Sequence, residues 1–168
     1  MKKKALYTNM MIGSLIISCC WLAPVQKADA AVVYIYPEAG VFFPTDSDLD
    51  TTATIGLTAG VGLLNFLALE LEYQRILEKD NTPSGNIFNA AAALRIPTGK
   101  IVPYGSVGVG FIYSDTSGSN DVDFMMPFSA GVDFGPYAIF SFGLGVEYGY
   151  VQDQSDYVLP YLRLGLTF

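Results

Sequence analysis

The sequence contains no histidine, and its nine lysines and arginines are outnumbered by sixteen aspartates and glutamates. Without an imidazole, Ser-His-Asp catalysis and most zinc sites are excluded. The formal net charge of −7 offers no basic patch that would neutralise phosphates, so we expect no nucleic-acid partner. These absences predict a protein that is not an enzyme and that carries neither a cofactor nor a metal ion.

Cysteine and tryptophan are also scarce, and Cys19, Cys20 and Trp21 are the only examples. They lie in an N-terminal segment in which three lysines precede the apolar residues 10–23. That apolar stretch is shorter than the roughly 20 residues that a membrane-spanning helix needs. Because Ala30 completes a small-x-small motif, residues 1–30 are predicted to be an export signal that is cleaved after Ala30.

A second interpretation of this segment is lipoprotein processing. Residues 16–19 (Ile-Ile-Ser-Cys) resemble the lipobox, at which a bacterial lipoprotein is cut and acylated on its cysteine, here Cys19. Cleavage after Ala30 is favoured, because that site stands directly ahead of a strand-like run. Residues 31–168 then form one cysteine-free domain with five basic and fifteen acidic residues, which excludes a disulfide framework.

Residues 31–168 show an apolar period of two, interrupted at regular intervals by Asp, Ser, Gly and Pro, and no convincing helical period. This pattern predicts an all-β fold of eight strands. The predicted strands lie near 32–43, 52–63, 66–76, 86–96, 102–114, 122–134, 137–150 and 157–168. Each is long enough to cross a bilayer at a tilt.

The two faces of these strands differ in an unusual way. In residues 140–150, Phe, Leu, Val and Tyr on one face alternate with Ser, Gly and Glu on the other. A lipid-facing apolar side and a polar lumen are typical of a transmembrane barrel, which must close so that every backbone group is paired. A soluble carrier of the lipocalin type is disfavoured, since it needs a bulky interior and usually a tryptophan near its first strand.

The predicted connections alternate between long and short. The long ones, near 44–51, 77–85, 115–121 and 151–156, are polar and acidic; the short ones are 64–65, 97–101 and 135–136, with Gly135-Pro136 the tightest. Long outer loops and short periplasmic turns are the arrangement of outer-membrane barrels. We therefore expect both termini to lie in the periplasm and the acidic loops to lie outside.

Two segments carry a resemblance to a known family. The alternating residues 161–168 end in Phe168, and residues 103–110 read Pro-Tyr-Gly-Ser-Val-Gly-Val-Gly. The whole predicted domain is similar to the small eight-stranded outer-membrane barrels, the OmpA/OmpX-like group. The resemblance implies a monomeric porin-like barrel in the outer membrane of a Gram-negative bacterium, in contact with lipid and lipopolysaccharide. It also implies that Phe168 is the signal for the barrel-assembly machinery. The chain departs from full-length OmpA-type proteins in that we expect no periplasmic peptidoglycan-binding domain, and therefore no cell-wall tethering.

Alternation places a set of charged side chains in the lumen. They are Glu38, Glu70, Glu72, Arg95, Asp123, Asp133, Glu147 and Arg163. On neighbouring strands, Glu70 or Glu72 can pair with Arg95, and Arg163 can pair with Glu147 and Glu38. Because an eight-stranded lumen is only wide enough for side chains, we interpret the set as a plug of ion pairs. The alternative is a gate or a narrow polar path, which would prefer cations.

The predicted role is therefore structural, or a surface interaction made by the acidic loops. These loops would meet the divalent-cation layer of lipopolysaccharide, or a basic host or phage surface. Asp46, Asp48 and Asp50 have the opening spacing of a calcium loop, but the glycine and the glutamate that complete an EF-hand are missing. The alternative role is transport, through a narrow pore or a lateral path where Pro37, Pro127 and Pro160 interrupt pairing.

Overall fold

The structure, a computed structural model, describes residues 32–96, 98–116, 119–135, 139–152 and 154–168. The predicted export signal, with Ala30 and Cys19, lies outside these residues. The described residues contain no helix that is long and apolar enough to cross a membrane.

Eight antiparallel strands pair in sequence order, and the last pairs with the first, which closes the barrel. They are β1 Val33–Pro44, β2 Thr52–Leu64, β3 Leu67–Ile76, β4 Gly85–Arg95, β5 Ile101–Thr116, β6 Ser119–Phe134, β7 Phe140–Val151 and β8 Tyr157–Thr167. The prediction of a closed eight-stranded antiparallel barrel is confirmed. We call the end with the two termini the terminal end and the opposite one the loop end.

Two predicted connections are wrong. The segment 115–121 is not a long loop, because β5 continues to Thr116 and β6 begins at Ser119, with backbone pairing along this hairpin. Gly135-Pro136 is not the tightest turn, since β7 begins only at Phe140, whereas two residues separate β2 from β3. A positive φ of 69° at Gly135 explains why glycine suits that turn.

The outward face is a continuous apolar surface. Leu71 and Leu164 are each 66% exposed, and Phe111 is 54% exposed. Tyrosines 73, 113, 148 and 150 face outward near the loop end, where an interfacial aromatic girdle is expected. Tyr34, whose position near a strand end suggests the same girdle, instead points into the lumen. If the surrounding solvent were water, every strand would expose a large apolar area to it. The outward surface therefore fits lipid as its solvent.

The three prolines proposed to interrupt pairing, Pro37, Pro127 and Pro160, lie at gaps in the ladders, and the barrel wall continues past each gap. Paired positions in β1 and β8 are missing around Pro37 and Pro160, and in β5 and β6 around Pro127. Proline has no N–H to donate, which accounts for the lost pairing. The register on the two sides of each gap is the same, so the prolines do not shift one strand against the other.

The inward face is bulkier than the glycine-rich pattern predicts, because tyrosines fill the space above the glycines. Four inward tyrosines lie directly opposite a glycine of the neighbouring strand: Tyr34 and Gly60, Tyr104 and Gly131, Tyr157 and Gly149, and Tyr161 and Gly145. A Cβ on any of these glycines would overlap the facing ring. The glycines therefore let large rings lie flat on the inner wall of a narrow barrel.

We predict that Gly145→Ala destabilises the barrel by about 1–3 kcal/mol, because the new methyl displaces the Tyr104 and Tyr161 rings. The measurement is urea-induced unfolding of the barrel in lipid vesicles. Gly105→Ala is the matched control, since a Cβ there meets only an ordinary contact of 3.6 Å. Equal unfolding midpoints for the two variants would contradict this account of the lumen.

Candidate functional site

The lumen side chains form three layers along the barrel axis. The arginine cluster, at the terminal end, contains Tyr34, Tyr36, Glu38, Glu70, Arg95, Tyr104, Asp133 and Arg163. The mid-lumen carboxylates, Glu72 and Glu147, lie halfway along their strands with their hydrogen-bond partners. The apolar plug fills the loop end. The antiparallel strand order explains this sorting. β1 begins at the terminal end and β4, β6 and β8 finish there, so the first inward residues of β1 and the last inward residues of the other three lie together.

Asp133 is the centre of the arginine cluster. Its side chain is fully buried and accepts two hydrogen bonds of 2.8 Å from Arg163, from Nε and from Nη2. The second oxygen also forms an ion pair with Nη2 of Arg95. One carboxylate on β6 thus holds guanidinium groups from β4 and β8 together across the lumen, in the bidentate geometry that favours arginine over lysine.

The other two carboxylates of the cluster are also partnered. Glu70 lies 3.5 Å from Nη1 of Arg95 and accepts a 2.6 Å hydrogen bond from Tyr34. Glu38 lies 4.0 Å from Nη1 of Arg163 and accepts a 2.9 Å hydrogen bond from Thr58. Since each buried charge has an opposite charge and a neutral donor, the cluster meets the conditions under which ion pairs persist in an interior.

Tyrosine rings surround the two guanidinium groups. The Arg163 Cζ atom lies 3.9 Å from the centroid of the Tyr104 ring and 4.4 Å from that of Tyr36. Arg95 lies 4.7 Å from the Tyr34 centroid and donates a 3.0 Å hydrogen bond to the Tyr36 hydroxyl. These cation–π contacts stabilise the charges in a dry site. The predicted lumen set contained only charged side chains, although the same two-residue alternation places Tyr34 and Tyr36 on the inward face of β1 and Tyr104 on that of β5.

The mid-lumen carboxylates have no arginine partner in the described part of the chain. Glu72 accepts hydrogen bonds from the amide nitrogens of Gln74 and Asn89, the second at 3.1 Å. Glu147 accepts bonds of 2.7 Å from Tyr157 and 3.0 Å from Ser129. The side chains of Gln74 and Asn89 are buried, yet Oε1 of Gln74 and Oδ1 of Asn89 have no hydrogen-bond partner among the residues that the structure describes.

The apolar plug closes the loop end of the lumen. Its members are Phe42, Ile76, Ile87, Ile112, Met125, Val151, Tyr157, Leu159 and Tyr161. The rings of Phe42 and Tyr157 lie 4.9 Å apart, and Ile87, Met125 and Leu159 are fully buried. Above the plug, a cavity of about 340 Å³ opens between the loops, with Phe42, Ile76 and Ile112 in its floor. Extending the two-residue alternation to the loop end of each strand would have revealed these inward side chains.

The structure brings together part of the charge set that the sequence singled out. Glu70 lies beside Arg95 and Glu38 beside Arg163, whereas the pairings of Glu72 with Arg95 and of Glu147 with Arg163 do not form. Both arginines instead meet Asp133 across the lumen.

Two further residues singled out in the sequence lie apart from the lumen network. Asp123 lies at the loop end and accepts a hydrogen bond from Gln154. The side chain of Phe168 is exposed beside the closing strands, and its amide donates a 2.9 Å bond to the carbonyl of Val33.

The described loops at the loop end are acidic, and hydrogen bonds connect them to one another. The Asp46 amide and the Thr45 hydroxyl bind residues of the loop that precedes β8, with an Asp46 N to Ser155 Oγ distance of 2.9 Å. Asp50 accepts hydrogen bonds from Asn81 and Thr82. Asp46 caps the amide of Asp48. No group of three or more acidic side chains in the described residues is placed to hold a metal ion.

Comparison with known proteins finds relatives by structure. No family model matches the chain, and no curated protein matches it in sequence. Neisserial surface protein A superposes with a TM-score of 0.69 at 16% identity, over 83% of this chain and 100% of that one. The N-terminal barrel domain of Pseudomonas aeruginosa OprF gives 0.67 at 18%, with the same coverage.

The attachment invasion locus protein Ail of Yersinia pestis gives a TM-score of 0.60 at 14% identity, again over 83% of this chain and all of that one. The chain has the fold of the small eight-stranded outer-membrane barrels. The expected resemblance to this group is therefore confirmed at the level of fold. Because the structural neighbours are bacterial outer-membrane proteins, they support an outer-membrane location for this barrel as well.

A second structure of Ail, with a TM-score of 0.58 at 13% identity, contains the heparin analogue sucrose octasulfate. That ligand belongs to Ail. At such identities the shared feature is the barrel, and the lumen network and the loops have to be interpreted from this chain's own residues.

We predict that Asp133→Asn destabilises the barrel by about 3 kcal/mol or more, because it leaves two buried guanidinium groups without their shared anion. Urea-induced unfolding in lipid vesicles gives the value. Asp48→Asn is the matched control, since this exposed loop carboxylate should change stability by less than about 0.5 kcal/mol. A small effect at Asp133 would mean that the arginines hold their positions without it.

Proposed function

We propose that the chain is an outer-membrane barrel with a closed lumen, whose role is structural or is a surface interaction made by its acidic loops. The loop end faces outward and both termini face the periplasm in this proposal. The observation that carries it is the layered lumen, in which an ionic cluster and an apolar plug leave the loops as the available polar surface.

The lumen is filled in two chemically different ways, and each opposes ion flow. At the loop end a hydrated ion would have to pass between Phe42, Ile87, Met125 and Leu159, which offer no polar group to replace its water. At the terminal end it would have to separate Asp133 from two arginines. A side-chain plug is therefore better supported than the alternative of a narrow cation-preferring pore.

The charge of the loops indicates the chemistry of a partner. Asp46, Asp48, Glu78 and Asp80 are exposed at the loop end, and the base in this region, Lys79, donates to the carbonyl of Thr51. A cationic partner is favoured: the divalent cations that bridge lipopolysaccharide, or a basic host or phage surface. Ail was crystallised with a polyanion, a heparin analogue. The cationic partner proposed for this chain is opposite in charge to that ligand.

The remaining parts of the proposal concern biogenesis. Residues 1–30 direct export and are removed after Ala30, and Phe168 is available to the barrel-assembly machinery because its side chain is exposed at the closing strands. The barrel is a monomer in contact with lipid and lipopolysaccharide. A non-enzymatic role is supported by a sequence without histidine.

We predict that the purified barrel in a planar bilayer gives no steady single-channel conductance, because the apolar plug blocks hydrated ions. Arg163→Ala and Glu147→Gln should be equally silent, since both changes leave the plug intact. A porin with an aqueous channel, reconstituted in the same bilayer, is the positive control for conduction. Cation-selective steps in the unchanged protein that respond to Glu147→Gln would establish the pore instead.

We also predict that replacing Asp46, Asp48 and Asp50 together by Asn weakens binding to a polylysine surface about tenfold at low salt. The estimate assumes about 0.5 kcal/mol for each exposed charge. Asn keeps the oxygen that accepts from the Asp48 and Asn81 amides, so the loops should keep their shape. Surface plasmon resonance gives the affinity, and Glu147→Gln, a buried change of the same kind, is the control. Equal affinity for all three proteins would remove the loops from the proposed role.

A further inference from the structure

The two mid-lumen carboxylates are the part of the interior that the proposed function leaves unexplained. The arginine cluster has three carboxylates and two arginines in mutual contact. Glu72 and Glu147 add two further acidic groups, partnered only by neutral donors in the described residues. Buried charges without a counter-charge are costly, so this layer has a reason to hold something positive.

Both carboxyl oxygens of Glu72 accept hydrogen bonds. Its Oε1 accepts from the Gln74 amide nitrogen and its Oε2 accepts from the Asn89 amide nitrogen. An amide nitrogen donates and cannot accept, so both carboxyl oxygens act as acceptors here, as they can in the carboxylate anion. Each oxygen keeps further acceptor capacity that these donors do not use.

A second observation points to the same place. The amide nitrogens of Gln74 and Asn89 contact Glu72. Each amide oxygen belongs to the same amide group as one of these nitrogens. Both oxygens have no hydrogen-bond partner among the described residues, on side chains that are only 2% and 6% exposed. Leaving a buried polar atom unpaired costs free energy, so two such oxygens on the side chains that contact Glu72 favour a cation as their partner.

The opposite wall contributes to this layer. β3 and β7 are four strands apart in the closed order of eight, so Glu72 and Glu147 extend towards each other across the lumen. The Tyr157 hydroxyl donates a 2.7 Å hydrogen bond to Glu147 on this wall. Glu72 and Glu147 thus belong to the same layer of the lumen, between the arginine cluster and the apolar plug.

We propose that this layer of the lumen binds one hard cation. Glu72 and the amide oxygens of Gln74 and Asn89 are its ligands, and Glu147 supplies a second negative charge from the facing wall. Carboxylate and amide oxygens are the ligand types that calcium takes in proteins, and sodium takes hard oxygen ligands as well. The cation acts as an internal cross-link of β3, β4 and β7, a role independent of the loops and of conductance.

The test uses the protein purified from outer membranes in detergent and freed of metal with EDTA. The thermal midpoint is measured by heat-dependent gel mobility during separate titrations with CaCl₂ and NaCl, with choline chloride as the ionic-strength control. The midpoint should rise with the logarithm of one cation's concentration, as expected for a ligand that binds only the folded state. The salt that produces the rise distinguishes calcium from sodium.

Glu72→Gln removes the central ligand charge and should abolish the rise. Glu78→Gln is the matched control, because the same change in an exposed loop of the β3–β4 hairpin should leave the rise intact. If Glu72→Gln does not fold, Glu147→Gln tests the same cation site from the opposite wall of the lumen. A midpoint that ignores both salts, or a rise that persists in the lumen variant, overturns the proposal and leaves water as the partner of the two amide oxygens.

Discussion

Closure of an eight-stranded sheet is the constraint on which the rest of this molecule depends. A strand surrounded by lipid has no other partner for its N–H and C=O groups, so β8 must pair with β1. With only eight strands, the enclosed space is just wide enough for side chains. Every inward residue is thereby forced into contact with its counterparts, which explains why tyrosine rings lie over glycines and why five carboxylates and two arginines share one interior.

The crowded interior is ordered by chemistry along its axis. Charged groups gather at the terminal end, where Asp133 holds two arginines, and branched and aromatic side chains gather at the loop end. Separation of the two has a physical advantage. The ion pairs stay in one desolvated cluster in which each charge is satisfied, and the two hydroxyl groups of the apolar plug, on Tyr157 and Tyr161, are hydrogen-bonded to Glu147 and Tyr104. The mid-lumen carboxylates lie at the boundary, which is where unpartnered amide oxygens occur.

The sequence predicted the number of strands, their approximate positions and which residues face inward, because alternation with a period of two follows directly from strand geometry. It did not predict which inward charges meet. Glu70 and Arg95 lie on adjacent strands, although Glu70 pairs with Ala91, four residues before Arg95. Asp133 meets Arg95 and Arg163 from a strand that pairs with neither of theirs. Contacts across the lumen depend on the shear of the barrel, which alternation does not encode. The apolar plug was missed for a simpler reason: Ile76 and Val151 continue the inward face beyond the last polar residue considered on each strand.

The structural neighbours show how far a fold constrains function. Neisserial surface protein A, the OprF barrel domain and Ail share the barrel with this chain at 14–18% identity, because alternation and closure can be met by many residues. The wall faces the same solvent in each case, and it therefore carries little information about partners. The loops are under no such constraint, and the sign of their charge sets which surfaces they attract. An acidic rim held by hydrogen bonds between its loops, such as those from Asn81 and Thr82 to Asp50, is for that reason more informative about this protein's partners than the barrel beneath it.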